Sequence, residues 1–407
     1  MRGKALSVAL VVIAGRALAQ NEAAPLTLHD VLARARKAAV ISAADAGVTA
    51  AEANLRAESR LLHDNPDLEV DAGPRRSPVG TTLQHTVVIE QPFEIGGRRG
   101  ARIARAEADL AAATAERDTT VQQYLREVAL AYVAAADADA RVRLAKENEA
   151  ISSEFQHIAE RRYTVGDIPI LDVNVAKAAV SQSRSDLLVA EGAQERALVS
   201  LKARLGMPRT APLTTTSDVE ADLAVPEPSL FLERAESSPD VRRLEAAVRQ
   251  AEADLRLARS LTWPNLTLRA EQSTEEESHI LLGGVRMSLP LFNRGQGERA
   301  TAAARLHRAQ LELDIARQNA IADASGIYAQ YLRQRAAADE LRVNGIPLLA
   351  DNIHLTQRSY EVGEIDLSEV LTVRRETLDA RTRYLDRVRE VSETAIDLES
   401  RAGLLLP

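Results

Sequence analysis

One motif occurs twice in this chain, and the repetition limits the possible fold more than any other feature of the sequence. Residues 90–98 read EQPFEIGGR and residues 288–296 read SLPLFNRGQ, so that Pro92 aligns with Pro290 and a glycine follows five residues later in each copy. Strand-like alternation precedes each copy, and a long helical pattern follows it. Because proline removes a strand hydrogen bond and glycine permits a sharp turn, each copy predicts a junction from a strand to a helix.

The two copies divide the chain into similar halves, each predicted to contain a short helix, a β-hairpin, a long helix, a turn and a second short helix. The first repeat covers residues 20–208, with the hairpin at 67–91, the long helix at 98–163 and the second helix at 168–205. The second repeat covers residues 229–407, with the hairpin at 265–289, the long helix at 296–361 and the second helix at 365–404. A segment rich in threonine and proline, residues 209–228, is predicted to link them.

The long helical patterns predict an elongated molecule. At about 1.5 Å per residue, a helix of about 60 residues extends roughly 100 Å, which exceeds the width of a compact domain. A seven-residue apolar repeat runs through the second long helix and indicates coiled-coil packing. Pro347 lies within that helix and is expected to kink or split it, because its ring disturbs the helical hydrogen bonds.

Both hairpins are predicted to have one apolar and one polar face. Leu68, Val70 and Ala72 alternate with acidic residues in the first hairpin, and the second hairpin alternates in the same phase. Residues 73–80 and 273–278 are expected to form the connecting loops. Four amphipathic strands of about ten residues suit a membrane barrel, but a closed barrel needs about eight strands. Two or more copies of the chain would therefore have to contribute to one barrel.

Composition narrows the class of protein further. Residues 1–19 combine early positive charges with an apolar run and a small-residue end, which predicts a signal peptide. The net charge of −8 provides no basic surface for nucleic acid, and the chain contains no cysteine. The seven histidines show no i, i+4 pairing typical of metal ligands, and no catalytic constellation is present. We therefore predict neither an enzyme nor a cofactor-binding protein.

The duplicated plan and the junctions EQPFEIGGR and LPLFNRGQG (289–297) resemble the TolC-type outer-membrane efflux proteins, and in particular their heavy-metal branch, the cobalt-zinc-cadmium resistance factors. The resemblance implies a mainly α fold with a small β part. It implies a homotrimer whose twelve strands, four from each chain, form one barrel in the lipid of the outer membrane, continued by an α-helical barrel across the periplasm. It also implies two partners, namely a periplasmic adaptor (a membrane fusion protein) and an inner-membrane pump of the resistance-nodulation-division type.

The turn between the long helix and the following short helix is the first candidate site in each repeat. In the family, the matching helix tips meet the adaptor. The resemblance therefore assigns this contact to Arg162, Val165, Gly166 and Asp167 in the first repeat and to Arg358, Val362, Gly363 and Glu364 in the second. A purely structural role for the two glycines, as left-handed residues between antiparallel helices, is compatible with adaptor contact.

Two further groups of acidic residues are candidates for a cation path. Asp172 and Glu369 occupy equivalent positions just after the two turns, and the resemblance places Glu369 in a pore constriction; both could instead be ordinary solvated residues of a helix surface. The polar faces of the hairpins carry Asp67, Glu69, Asp71, Glu90 and Glu271, which would line the barrel lumen beside Arg269 and Arg286. A ring of carboxylates attracts cations and repels anions.

We therefore predict an exit duct of an efflux system that expels heavy-metal ions. Export of drugs, or of a protein through a type I secretion system, would use the same kind of duct. A structural periplasmic coiled-coil protein is the alternative from a different class. It would explain the heptads, but it would leave the signal peptide and the two hairpins of matched polarity unexplained.

Overall fold

The computed structural model describes residues 25–78, 80–215, 228–275 and 278–405. The predicted signal peptide and residues 216–227 of the predicted linker lie outside these ranges. The helices are α1 (Leu28–Ala35), α2 (Ala39–Glu58), α3 (Arg98–Thr164), α4 (Ile170–Arg204), α5 (Pro228–Glu236), α6 (Pro239–Ser260), α7 (Gln296–Glu340), α8 (Ile346–Glu361) and α9 (Leu367–Arg401). The strands are β1 (Asp67–Ser77), β2 (Gly80–Phe93), β3 (Leu266–Glu275) and β4 (Ser278–Met287).

The repeated glycine of each junction lies immediately before a long helix. Gly97 precedes α3 with a φ angle of 80°, and Gly295 precedes α7 with a φ angle of 70°. This left-handed conformation is costly for residues with a Cβ atom and easy for glycine. The chain can therefore leave the sheet and enter a helix within a few residues in both repeats.

Helix α3 forms the axis of the molecule. Its 67 residues extend about 100 Å and contact α2, α4, α6 and α9 along their length. The main core surrounds its middle, where Leu125, Val128 and Tyr132 are fully buried. Alanines are frequent among the buried residues of α3, and their small side chains let the neighbouring helices approach closely. None of the described helices combines the length and apolar character required to cross a membrane.

The four strands form one antiparallel sheet in the order β1-β2-β3-β4. Strands β2 and β3 come from different repeats and pair directly, with Glu90 opposite Arg269 and Val88 opposite Glu271. The sheet therefore joins the two halves of the chain. Strands β1 and β4 lie at its edges, and within the described residues each pairs on one side only.

The predicted hairpin loops are too long. Strand β1 continues through residues 73–77, with Pro74 opposite Leu83, and β2 begins at Gly80. Likewise, β3 continues to Glu275 and β4 begins at Ser278. Glycine and proline suggested a loop at 73–80, but β1 is an edge strand, where a residue without an N–H group is tolerated.

The second long helix, predicted over 296–361 with a kink or break at Pro347, is interrupted just before that proline. A five-residue π-helical segment, Leu341–Gly345, separates α7 from α8. Its position follows from Pro347, whose nitrogen cannot donate a hydrogen bond and whose ring crowds the preceding turn. The backbone N–H of Ile346 donates instead to the carbonyl of Leu341, five residues earlier. The expected disturbance at Pro347 is thus present as a wider turn just before the proline.

Candidate sites at the helix turns and in the sheet

The two helix turns share one backbone geometry. After α3, the N–H of Asp167 donates to the carbonyl of Arg162 over 3.0 Å, and Gly166 has a φ angle of 81°. After α8, the N–H of Glu364 donates to the carbonyl of Ser359 over 2.9 Å, and Gly363 has a φ angle of 82°. This pattern closes a helix with a left-handed residue and satisfies its last carbonyls, which explains why glycine recurs there.

The Arg162 side chain donates the hydrogen bonds between the two turns, and its neighbour Arg161 adds a long ion pair to Glu361 at 4.0 Å. The Arg162 guanidinium donates to the Asp167 carboxylate of its own turn over 2.7 Å and to the Tyr360 carbonyl of the other turn over 2.8 Å. It also lies over the Tyr360 ring, 4.9 Å from the centroid, and only 13% of its side chain is exposed. The residue equivalent to Arg162 in the second repeat is Ser359, whose hydroxyl donates to Glu364. The connection is therefore made from one side only.

An apolar cluster packs between the four helix ends that flank the two turns. Tyr360 is 1% exposed and packs edge-on against Phe155, with ring centroids 6.1 Å apart. Val173 and Val370, in the first turns of α4 and α9, complete the contact. Burial raises the pKa of the Tyr360 phenol, and its oxygen has no hydrogen-bond partner among the described residues. The equivalent Tyr163 is exposed, so the two repeats differ in how these tyrosines are packed.

The structure places the eight predicted tip residues at one end of the molecule. Seven are exposed, namely Val165, Gly166, Asp167, Arg358, Val362, Gly363 and Glu364. Arg162 is the exception, because its side chain is directed toward the other helix turn. The exposed residues provide a surface with apolar, acidic and basic groups, on which another protein could dock.

Asp172 and Glu369 occupy the third positions of α4 and α9, immediately behind the turns. Asp172 is half-buried and Glu369 is exposed. The Glu369 N–H donates to the Asp366 carboxylate over 2.9 Å, and this bond is the main cause that lowers the pKa of Asp366. Asp366 was not among the residues predicted from the sequence, although an aspartate three residues before a glutamate at a helix start is a recognisable capping signal.

The predicted lumen residues share one face of the sheet. Asp67 of β1 lies opposite Glu90 of β2. Val88 of β2 lies between Glu69 of β1 and Glu271 of β3. Glu90 accepts hydrogen bonds from Arg269 over 3.1 Å and from Arg286 over 2.6 Å. Arg269 also donates to Glu271 over 2.9 Å.

The negative charge of this face is concentrated on one strand. Asp67, Glu69 and Asp71 of β1 are exposed, and they form no ion pair with the described residues. The opposite face exposes large apolar side chains, including Leu68, Val70, Ile89, Leu281 and Val285. One face of the sheet therefore suits a lipid environment, and the other suits water and cations.

The two junctions between sheet and helices differ in packing. In the first repeat, Arg102 joins Glu94 and Glu58 over 2.7 and 3.0 Å, and its hydrogen bond lowers the pKa of Glu94. A Cβ atom at Gly96 would lie 2.3 Å from the Trp263 ring, so only glycine fits there. In the second repeat, the junction is open, and Phe292 is 93% exposed.

No group of three or more histidine, cysteine, aspartate or glutamate residues that could hold a metal ion occurs in the described ranges. The sheet lies near the start of α3, and the paired turns lie at its end, about 100 Å away. An elongated helical body with an amphipathic sheet at one end and paired turns at the other defines the class of efflux ducts.

Comparison with known proteins identifies the family. The sequence pattern of the family described as outer membrane efflux protein matches residues 29–207 and 232–404. The chain therefore belongs to the outer membrane efflux proteins, and its outer-membrane location and TolC-like fold, expected from the resemblance, are confirmed. Its family and its structural neighbours consist of channel proteins.

Two relatives and one solved structure illustrate the similarity. The cobalt-zinc-cadmium resistance protein CzcC of Cupriavidus metallidurans is 26% identical over 387 residues, which cover 94% of this chain and 91% of that protein. The nickel-cobalt-cadmium resistance protein NccC of Alcaligenes xylosoxydans xylosoxydans is 30% identical over 78% of this chain and 74% of that protein. The outer membrane protein VceC of Vibrio cholerae superposes with a TM-score of 0.77 at 18% identity, covering 92% of this chain and 96% of that one.

Proposed function

We propose that this protein is the exit duct of a tripartite efflux system that exports heavy-metal cations. The observation that carries the choice of cargo is the similarity to CzcC and NccC, two proteins named for metal resistance, over most of the chain. In this proposal, the duct is a homotrimer that receives ions from an inner-membrane pump of the resistance-nodulation-division type through a periplasmic adaptor.

The edges of the sheet support a trimer. The described part of each chain supplies four strands, and within it β1 and β4 have unpaired edges. Open edges expose backbone donors and acceptors that a membrane does not satisfy, so they require partners. When β1 of one copy pairs with β4 of the next, three copies close a barrel of twelve strands. Such a barrel has its acidic face inside and its apolar face toward lipid.

The difference between the two junctions also supports association of copies. Within the chain, the first junction packs against Trp263 of the second repeat. The repeats are offset by 198 positions there, so Arg294 corresponds to Gly96 and Asn65 corresponds to Trp263. The equivalent contact would therefore join Arg294 of the second junction to Asn65 of a first repeat. The described residues leave Phe292 of the second junction uncovered. A neighbouring copy would supply the missing contact and cover Phe292.

The carboxylates supply a cation path in this arrangement. Threefold symmetry turns Glu369 and Asp172 into rings near the periplasmic entrance, and it turns Asp67, Glu69 and Asp71 into a negative band in the barrel. Rings of like charge attract cations and exclude anions. Selection among metals is not part of this proposal, because carboxylates on an open path bind divalent cations with little discrimination.

The exposed turns are the proposed docking surface for the adaptor. Val165 and Val362 are apolar and exposed, and Asp167, Glu364 and Arg358 surround them with charge. An apolar centre with a charged rim is the usual composition of a protein interface. Arg162 contributes indirectly in this proposal, by holding the two turns at a fixed spacing.

The test is metal content in cells that lack the chromosomal copy, measured by mass spectrometry for zinc, cobalt, cadmium, nickel, copper and silver. We expect one or a few metals to accumulate several-fold and to return to normal on re-expression. Glu369→Gln should restore efflux only partly, whereas Glu376→Gln, on an exposed position of the same helix, should restore it fully. Normal metal content with accumulation of hydrophobic drugs, measured in parallel, would overturn the choice of cargo and leave the duct intact.

A further inference from the structure

The first hairpin extends beyond the part of the sheet in which it pairs with the second. Strand β2 pairs with β3 as far as His85, which lies opposite Thr274. Strands β1 and β2 pair with each other over five further residue pairs, the last of which joins Ser77 and Gly80. The long helices leave the other end of the sheet. In a protein that spans the outer membrane and enters the periplasm, this projecting part therefore lies toward the cell exterior.

Two adjacent arginines of the projecting part lie on opposite faces of it. Side chains alternate along a strand, so Arg75 continues the acidic face of Asp71, and Arg76 continues the apolar face of Leu68 and Val70. Both arginines are exposed. The Arg76 side chain forms no ion pair with the described residues, and none of the described residues on the apolar face is an aspartate or a glutamate. Within the described residues, Arg76 is therefore an uncompensated cation on that face.

The height of Arg76 on the apolar face agrees with the edge of a lipid bilayer. On this face of β2, the residues from Phe93 to Leu83 extend about 33 Å along the strand, at about 3.3 Å per residue. Strands of membrane barrels are tilted by about 40°, which reduces this length to about 25 Å along the membrane normal, the usual height of their apolar band. Arg76 lies opposite Thr81, two residues beyond Leu83. It therefore reaches the level of the lipid headgroups when the rest of the face lies in hydrocarbon.

One polar row lies within this band, but its members bond to one another. The Thr274 Oγ1 atom lies 3.1 Å from His85 Nε2 and 3.3 Å from His279 Nδ1. Thr274 is only 9% exposed, so its hydroxyl is covered. This row needs fewer partners from its surroundings than the Arg76 guanidinium, which has five N–H donors and a permanent charge. Arg76 is thus the residue of the apolar face that most requires an external anion.

We propose that Arg76 binds a phosphate group of lipid A in the outer leaflet of the outer membrane. Lipid A is the phosphorylated anchor of lipopolysaccharide, and its acyl chains would lie along the apolar face beside the arginine. A planar guanidinium can donate two parallel hydrogen bonds to a phosphate, and such charged pairs are stronger than neutral hydrogen bonds. This assignment rests on the proposed duct, in which the apolar face of the sheet meets lipid.

The experiment compares two lipids on the full protein, purified in detergent. Native mass spectrometry measures how much bis-phosphorylated lipid A stays bound to the protein, and how much of the same lipid stays bound after both phosphates have been removed. We expect the wild-type protein to retain the phosphorylated lipid roughly fivefold better, since one cation meets an anionic headgroup in each chain. Arg76→Gln should lose most of this preference, because the amide carries no charge.

The matched control is Arg75→Gln, which removes the same charge from the neighbouring residue on the opposite face and should leave the preference unchanged. Circular dichroism of each variant establishes that it is folded. Equal retention of the two lipids by the wild-type protein would overturn the proposal, and so would an unchanged preference in Arg76→Gln. Neither result would affect the proposed exit duct, which is tested by the metal content of cells.

Discussion

Arg162 is the residue on which the geometry of the two turns depends. Its guanidinium contacts Asp167 of its own turn and both the carbonyl and the ring of Tyr360 in the other turn. Hydrogen bonds to a charged group contribute about 1.5–3 kcal/mol each when little water reaches them. Among the residues of the turns, Arg162 is therefore the one whose loss should move the two helix turns apart most.

We expect Arg162→Ala to loosen the spacing between the turns. Because the chain has no cysteine, spin labels can be placed at Val165 and Val362 alone, both of which are exposed. Pulsed electron paramagnetic resonance should give a broader distribution of distances between these labels in the variant. Arg358→Ala, at an exposed position of the second turn, is the control and should leave the distribution unchanged. An unchanged distribution in Arg162→Ala would show that other contacts fix the spacing.

The turns could be located from the sequence alone, but the role of each residue in them could not. Gly166 and Gly363 were found because a left-handed glycine and a common repeat leave a local signal. The inward direction of the Arg162 side chain was missed, because it depends on which helix turns lie side by side. For the same reason, Tyr163 and Tyr360 look equivalent in the sequence, although one is exposed and the other buried. Local pattern indicates position in a repeat, whereas burial depends on neighbours from distant segments.

Among the elements, the second long helix differs from the first by its π-helical segment. Helix α3 continues without interruption through Ala150, the position equivalent to Pro347 at an offset of 197 residues. We expect Pro347→Ala to convert Leu341–Gly345 to a regular helix, because the missing backbone donor is restored. Hydrogen-exchange mass spectrometry should then show slower exchange for the peptides that span 341–350.

The reverse substitution provides the comparison. Ala150→Pro should introduce a break into α3 and cost about 3 kcal/mol or more, since it removes a helical hydrogen bond from a packed helix. Exchange near residue 150 should become faster in that variant. Equal exchange in the wild-type protein and the Pro347→Ala variant would contradict the assignment of the π segment to the proline.

The strands were predicted with the correct faces but with shortened ends. Alternation of apolar and acidic residues is a local signal, and it correctly placed the acidic residues on one face. The strand ends at 73–77 were missed because proline and glycine usually indicate a loop, and only the order of the strands reveals that β1 is an edge. The pairing of β2 with β3 had no local signal at all.

For the whole molecule, the open second junction gives a direct test of association. We expect Asn65→Cys combined with Arg294→Cys to form a disulfide between neighbouring copies, because the equivalent positions, Trp263 and Gly96, are in contact within the chain. Mild oxidation in membranes should then give covalent dimers and trimers on denaturing gels. Each single variant should remain monomeric under the same conditions. Monomer alone in the double variant would contradict the proposed arrangement of copies.

The pairing of β2 with β3 also determines the order in which this protein can fold. His85 and Thr274 are neighbours in the sheet, although 189 positions separate them in the chain. Contacts between such distant segments form slowly, because a long loop must close before any pairing energy is gained. The first hairpin is synthesised and exported well before the second, and until then the free edge of β2 and the apolar face beside it have no partner. A chain with this strand pairing is therefore prone to aggregate until its second half has been synthesised and exported.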